Sequence, residues 1–248
     1  MDIDLAGQVV AITGASSGIG EATALAAAQA GAAVALAARR TDRIEALAQR
    51  ITDAGGRALA ITTDVSDEAQ ARAFVRRTID ELGGLDALVN NAGVMLLGPV
   101  KGADTDEWRR MVDANLYGVL YVTHAAVPHL IAQGRGHVLT VSSIAGVRAS
   151  AGSAVYNATK FAVNAFSEAL RQELAEHDVR VTSINPGAVE TELRTHLSAE
   201  QQEAQRRRFA DVTQLQATDI ADTIVYVLGQ PPHVSLNEIL VRPTKQQR

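Results

Sequence analysis

Seven short apolar runs punctuate this 248-residue chain, and the first six are continuous rather than alternating in polarity. They lie at 9–12, 33–37, 58–61, 87–89, 137–141 and 180–184, with the seventh at 238–241. A strand with one face in water alternates apolar and polar residues, whereas a strand covered on both faces does not. Longer amphipathic stretches at 18–30, 42–54, 67–82, 105–132, 153–177 and 218–229 separate the runs and read as helices. Asp104 with Glu107 forms a candidate capping box for the fourth helix, and Pro128 should kink or end it. Strand–helix repetition of this kind predicts an α/β fold: a single doubly wound domain over 1–248 with a seven-stranded parallel sheet. No linker, low-complexity tract or shift in composition divides it.

Bulk properties remove several function classes. A net charge of −5 argues against nucleic acid as the main partner. The absence of cysteine excludes disulfides, zinc–thiolate sites and thiol catalysis. The six histidines, at 124, 129, 137, 177, 196 and 233, show no pair with the spacing of a helical metal site, so no metal is expected. No uninterrupted apolar run approaches the roughly 18 residues of a membrane span. The acidic start, Met1-Asp2-Ile3-Asp4, lacks the charged-then-apolar pattern of a secretion signal. A soluble cytoplasmic protein acting on a small molecule is the expectation.

In a doubly wound sheet, ligands bind beyond the carboxyl ends of the strands. At the first such end stands Gly14-Ala15-Ser16-Ser17-Gly18-Ile19-Gly20, opening the first helix. Glycines there permit a tight turn and close approach of the backbone to a pyrophosphate, which the helix N-terminus then attracts. The spacing is G-x-x-x-G-x-G, and in that form it resembles the short-chain dehydrogenase/reductase family. Further pieces match in order: Asp64-Val65 after the third run, Asn90-Asn91-Ala92-Gly93 after the fourth, and Pro186-Gly187-Ala188-Val189-Glu190-Thr191 after the sixth. The resemblance covers essentially the whole chain and implies a Rossmann-type fold. It implies that Asp64 and Val65 hold an adenine, and that Pro186, Gly187, Val189 and Thr191 meet a nicotinamide amide. Members that prefer NAD carry an acidic residue about 18 positions after the last glycine. Ala38 stands there, followed by Arg39 and Arg40, which would attract a 2′-phosphate. NADP(H) is therefore the expected cofactor.

Lysine is scarce here: three lysines among 23 basic side chains, with Lys160 four residues after Tyr156. Where arginine is the default cation, a lysine suggests a compact charge of tunable pKa. Helical spacing puts Tyr156 and Lys160 on one face. The resemblance adds Ser143, which is 13 residues before Tyr156, and Asn115, completing a catalytic set of Asn115, Ser143, Tyr156 and Lys160. It implies that Tyr156 is the acid and base of carbonyl–alcohol interconversion. Lys160 would lower its pKa and bond the nicotinamide ribose, and Ser143 would hold the substrate oxygen. Asn115 would position a water linking Lys160 to solvent. An unperturbed phenol, with a pKa of about 10, is roughly 0.1% ionised at pH 7. Lowering that pKa is therefore the expected task of Lys160 together with the oxidised cofactor.

Other features remain open. The polar stretch 186–216 lacks a core-facing pattern and reads as a mobile lid. His196, one of Arg206–Arg208, or Arg148 could meet substrate there, although solvated surface roles are the more ordinary reading. Met95-Leu96-Leu97 should line the cleft, and Trp108 should pack in core or interface. The resemblance implies a homo-oligomer, tetramer or dimer, through the helices at 105–132 and 153–177. Segments 90–100 and 237–244 are similar to the clavulanic acid dehydrogenase (clavaldehyde reductase) type of the family. A reversible NADPH-dependent reductase of aldehydes or ketones is the leading expectation. A 3-hydroxy acid dehydrogenase, a dinucleotide-binding sensor, and an epimerase or dehydratase on the same frame remain alternatives.

Overall fold

The computed structural model describes residues 3–197, 199–209 and 211–247. Its main sheet contains β1 (Val9–Thr13), β2 (Ala33–Ala38), β3 (Arg57–Thr62), β4 (Ala87–Asn90), β5 (Gly136–Val141), β6 (Val179–Pro186) and β9 (Glu238–Val241). Two further short strands, β7 (Val189–Glu190) and β8 (Leu215–Gln216), pair with each other. The seven strands are parallel in the order β3-β2-β1-β4-β5-β6-β9. After β3 the chain crosses back over β1, so a crevice opens between the carboxyl ends of β1 and β4. The sheet matches the expected seven-stranded Rossmann-type fold.

The continuous apolar runs work because a strand's successive side chains face opposite layers. Val10, Ile12, Val34 and Leu36 point to one layer, under α1 (Gly18–Gln29), α2 (Thr41–Asp53) and α8 (Ala217–Leu228). Val9, Ala11, Ala35 and Leu88 point to the other, under α3 (Glu68–Leu82), α5 (Gly118–Gln133) and α6 (Ala154–Leu174). β1 and β4 are buried along their full length, whereas the edge strands β3 and β9 are largely part-exposed. α1 presents Gly20, Thr23, Ala24 and Ala27 inward, small enough for close packing on the sheet.

The fourth helical stretch departs from expectation. It comprises α4 (Thr105–Val112), a π-helical turn at Asp113–Tyr117, and α5. The wide turn carries Asn115, whose side chain bonds both backbone groups of Val94 on another segment, and such bulges recur at functional sites. Asp104 caps α4 by accepting from Asp106 N at 2.9 Å, but among the described residues Glu107 returns no bond, so the capping box is not formed. Pro128 does not end α5; Ala126 and Leu130 stay buried on the sheet, and the helix stops at left-handed Gly134. Residues 186–216 are less irregular than their composition suggests. They hold the end of β6, the β7–β8 ladder, a 3₁₀ turn at Glu192–His196, and α7 (Ala199–Arg208).

His137 illustrates a buried, purely structural histidine. Thr182 Oγ1 donates to Leu236 O at 2.6 Å, so the 2.7 Å contact with His137 must be donated by the imidazole Nε2. His137 Nδ1 is buried without a partner. Protonating it would place an N–H in a dry site, and Arg180 nearby adds repulsion, so the pKa falls from 6.5 to about 3. The unfolded chain therefore binds the extra proton first, and stability present above pH 6.5 is lost as pH falls towards 3. Urea titrations should show a loss on the order of 4 kcal/mol across that window, much of it absent in His137→Gln. An unchanged acid limb in the variant would remove His137 from this role.

Candidate active site

The crevice begins with a stitched turn. Thr13, the last residue of β1, accepts through Oγ1 from Asn91 N and Ala92 N, both at 3.0 Å. Asn91 Nδ2 donates back to Thr13 O at 3.0 Å and to Gly14 O at 3.2 Å. Gly14 sits at φ 67°, and a Cβ there would lie 2.8 Å from Ala92 Cα. Any other residue would force the two strand ends apart. A Cβ on Gly20 would lie 2.3 Å from Gly14 O, so Gly20 permits the turn to close and does not itself line the crevice.

A cavity of about 1650 Å³ runs over these strand ends. On the β2 side it meets Ala38, Arg39 and Arg40, with Ser16, Ser17, Gly18 and Ile19 above α1. Asp64, Val65, Asn91, Ala92 and Gly93 form the middle. On the far side stand Ser143, Tyr156, Lys160, Pro186, Gly187, Val189 and Thr191. Residues scattered along most of the chain thus converge on one surface, with Gly20 and Asn115 behind it. The structure also places Glu192 and Gln246 in this lining, neither of them marked by a motif in the sequence, and ties Arg43 to it from outside. Gln246 accepts from Ala188 N at 2.9 Å, while Arg43 and Glu192 join Arg40 in an ion-pair cluster.

At the far side, α6 carries Tyr156 and Lys160 on one face, both buried at 7% exposure. Lys160 Nζ lies 5.9 Å from the centre of the Tyr156 ring and donates to Val141 O at 3.0 Å. Ser143 is extended and caps the short turn Ile144–Gly146, its Oγ accepting from Ala145 N at 3.0 Å. Asn157 holds the loop that follows. Its Nδ2 donates to Ala145 O at 2.6 Å and Arg148 O at 3.0 Å, and its Oδ1 accepts from Ser153 Oγ at 2.6 Å.

In the free chain, burial sets the charge states of this pair. Burial pushes the Tyr156 phenol up to about 12, opposed only by a hydrogen bond with Ser143. Burial also lowers Lys160 to about 8. Lys160 Nζ donates one of its three N–H bonds to Val141 O, and in the free chain burial dominates the phenol; the expected lowering belongs to the state with oxidised cofactor bound. Asn115 turns away from the cavity. Its Oδ1 accepts from Val94 N at 2.7 Å, and its Nδ2 donates to Val94 O at 2.9 Å and to Thr159 Oγ1 at 3.2 Å. Thr159 in turn donates to Tyr156 O at 2.8 Å. The Asn115 side chain therefore braces the turn that carries Tyr156.

Among the lesser candidates, Met95 and Leu97 line the cavity, while Leu96 turns inward beside Met111 and Tyr156, with Trp108 packed against them. Arg148 lines the cavity and is exposed, with no ion pair among the described residues. Arg206 and Arg207 pair with Glu203 at 3.2 and 3.1 Å on an exposed helix and do not reach the cavity. The side chains of His196 and Arg208 lie outside the described residues. No group of three or more His, Asp or Glu suited to a metal occurs among the described residues. No helix among them is long and apolar enough to cross a membrane.

Residues 8–202 match the family model for short chain dehydrogenase. The chain belongs to this family. A glycine betaine reductase of Emericella nidulans is 42% identical over 240 residues, which is 96% of this chain but 19% of that protein. An uncharacterised oxidoreductase of Listeria innocua is 38% identical, covering 96% of this chain and 97% of its own. The closed form of a serine dehydrogenase complexed with NADP+ superposes with a TM-score of 0.91 at 31% identity, covering 97% of both chains. A 3-ketoacyl-(acyl-carrier-protein) reductase from Brucella melitensis complexed with NADH gives 0.87 at 32% identity, over 98% of this chain and 99% of that one. Nothing in these matches is specific to the clavulanic acid dehydrogenase type, so that narrower likeness gains no support from them. An oxidoreductase using a nicotinamide dinucleotide is the level at which chain and relatives agree.

Proposed function

We propose that the protein is an NADPH-dependent oxidoreductase that reversibly reduces an aldehyde or ketone to an alcohol. The observation that carries this reading is the meeting of Ser143, Tyr156 and Lys160 at one side of a cavity whose other side presents Arg39 and Arg40 and no carboxylate at position 38. The residues fit such a cofactor: a glycine cradle closed to any side chain at Gly14, N–H groups at the start of α1, and cationic charge at Arg39. Ser16, Ser17, Gly18 and Ile19 would hold the pyrophosphate, Asp64 and Val65 the adenine, and Arg39 and Arg40 the 2′-phosphate. Asn91, Ala92 and Gly93 would flank the ribose, and Pro186, Gly187, Val189 and Thr191 the nicotinamide amide. When bound, the cofactor supplies or accepts the hydride.

The chain's own residues handle the proton. Tyr156 donates its phenolic proton to the substrate oxygen in reduction and takes it back in oxidation. Ser143 Oγ holds that oxygen and favours negative charge as it develops. Lys160, bound to the ribose, would offset the phenolate charge. Bringing the phenol from about 12 to near 7 requires roughly 7 kcal/mol. One ammonium at the 5.9 Å seen between Lys160 Nζ and the Tyr156 ring supplies about 3 kcal/mol at an effective dielectric of 20. The remainder is assigned to the positive charge of the oxidised cofactor. Asn115 acts as a positioning residue through Val94 and Thr159.

Arg148 supports a second, narrower reading, a substrate with an anionic group such as a 3-hydroxy acid, because it is a cation at the cavity's edge with no ion pair among the described residues. Both readings are tested by following cofactor absorbance with a panel of aldehydes, ketones, 3-hydroxy acids and sugars, using NADPH and NADH. A charge-assisted phosphate contact contributes about 1.5–3 kcal/mol, so NADPH should exceed NADH in kcat/KM by at least about tenfold. Equal efficiency with the two would end the NADPH assignment. Tight binding without turnover across the panel would favour a dinucleotide sensor instead.

A further inference from the structure

An acidic side chain occupies the place where the expected cofactor would bring negative charge. Glu192, which follows β7 and opens the 3₁₀ turn, accepts through Oε2 from Arg40 Nη1 at 2.8 Å. It also accepts from Arg43 Nη1, through Oε1 at 2.8 Å and Oε2 at 2.9 Å. Arg40 is further engaged by the glycine-rich turn. Its Nε and Nη2 donate to Ser16 Oγ at 3.1 and 2.9 Å, and Nη2 donates to Ser17 Oγ at 2.8 Å. A guanidinium has five N–H donors, and the chain's own groups contact the Nε donor, the Nη2 donors and Nη1 of Arg40. Arg39 beside it makes no ion pair among the described residues.

We propose that Glu192 is an internal competitor for the 2′-phosphate of NADPH, occupying Arg40 and Arg43 until the phosphate displaces it, and that Arg43 is a third cation of the phosphate site. This rests on the NADPH reading above. A phosphate monoester carries up to two charges and three acceptor oxygens, so it outbids a single carboxylate for two guanidinium groups. The ribose hydroxyl of NADH has no such charge and leaves the ion pairs intact. Glu192 that stayed in place would face the phosphate with like charge. Arg40 and Arg43 hold its carboxyl near 2, so it stays ionised at any ordinary assay pH. Its side chain is 46% exposed, so rehydration on release costs little and the competition is modest in size.

The test is calorimetric binding of 2′,5′-ADP and of 5′-ADP to the wild type, Glu192→Gln and Arg43→Gln; no turnover is involved. Glu192→Gln should bind 2′,5′-ADP about fivefold more tightly than wild type, the size of the coupling in a half-exposed ion pair. Arg43→Gln should bind it several-fold more weakly, by roughly the same measure. Affinity for 5′-ADP should be unchanged in both variants, which also checks that they fold. Unchanged or weaker 2′,5′-ADP binding by Glu192→Gln overturns the proposal while a wild-type preference for 2′,5′-ADP keeps the NADPH reading. Equal wild-type affinity for the two nucleotides, unaltered by either substitution, overturns both.

Discussion

Tyr156→Phe should lower kcat by roughly 100- to 10,000-fold, the contribution of a positioned general acid, while NADPH binds within about twofold of wild type. The change removes one oxygen from a ring at 7% exposure and leaves its packing against Val94, Leu96 and Met111 intact. Lys160 keeps its bond to Val141 O; Ser143 loses the phenol but keeps its bond from Ala145 N and lines the open cavity, where water can take the phenol's place. The melting temperature should therefore barely move, and the lost activity reads as lost chemistry. The phenol's raised pKa adds a directional expectation. Carbonyl reduction uses the protonated form, which burial favours, and should proceed well at neutral pH. Alcohol oxidation uses the phenolate and should rise with pH until the bound-state pKa is passed. A Tyr156→Phe enzyme retaining more than a few per cent of wild-type kcat would show that another group or water delivers the proton.

The parts of this molecule that a periodic pattern encodes are legible in the sequence, and the parts set by distant contacts are not. Val9–Thr13 and Ala87–Asn90 can be read as buried strands because sandwiched strands carry unbroken apolar runs. The β7–β8 ladder cannot, since two-residue strands have no period and are held by a partner 26 positions away. The π turn at Asp113–Tyr117 is hidden for a related reason: the partner of its Asn115 side chain is the Val94 backbone, 21 residues earlier. In the site, Gly14, Ser143, Tyr156 and Lys160 are visible through local spacing. Glu192 and Gln246 are not, because their partners lie 152 and 58 residues away and neither stands in a local motif. Spacing places Lys160 beside the Tyr156 ring, but it does not show the burial that raises the phenol in the free chain.

Lys160→Arg should reduce kcat/KM by at least about 100-fold, although it conserves charge. The lysine is confined: it is 7% exposed, and its Nζ is tied on one side to Val141 O. A guanidinium is larger and planar, and seating it here would push Tyr156 or the Ser142–Ser143 strand end aside. Overpacking of that kind costs about 1–3 kcal/mol, which should appear as a lower melting temperature. Charge state separates crowding from electrostatics. Burial brings Lys160 down to about 8 in the free enzyme, so its ammonium is lost as pH rises through that value. The wild-type pH profile of kcat/KM should carry a limb near there, while arginine, protonated throughout, should show none. A variant with low activity and no such limb supports a compact, titratable charge as the requirement. Near-wild-type activity with the limb absent would mean that any fixed positive charge at this position suffices.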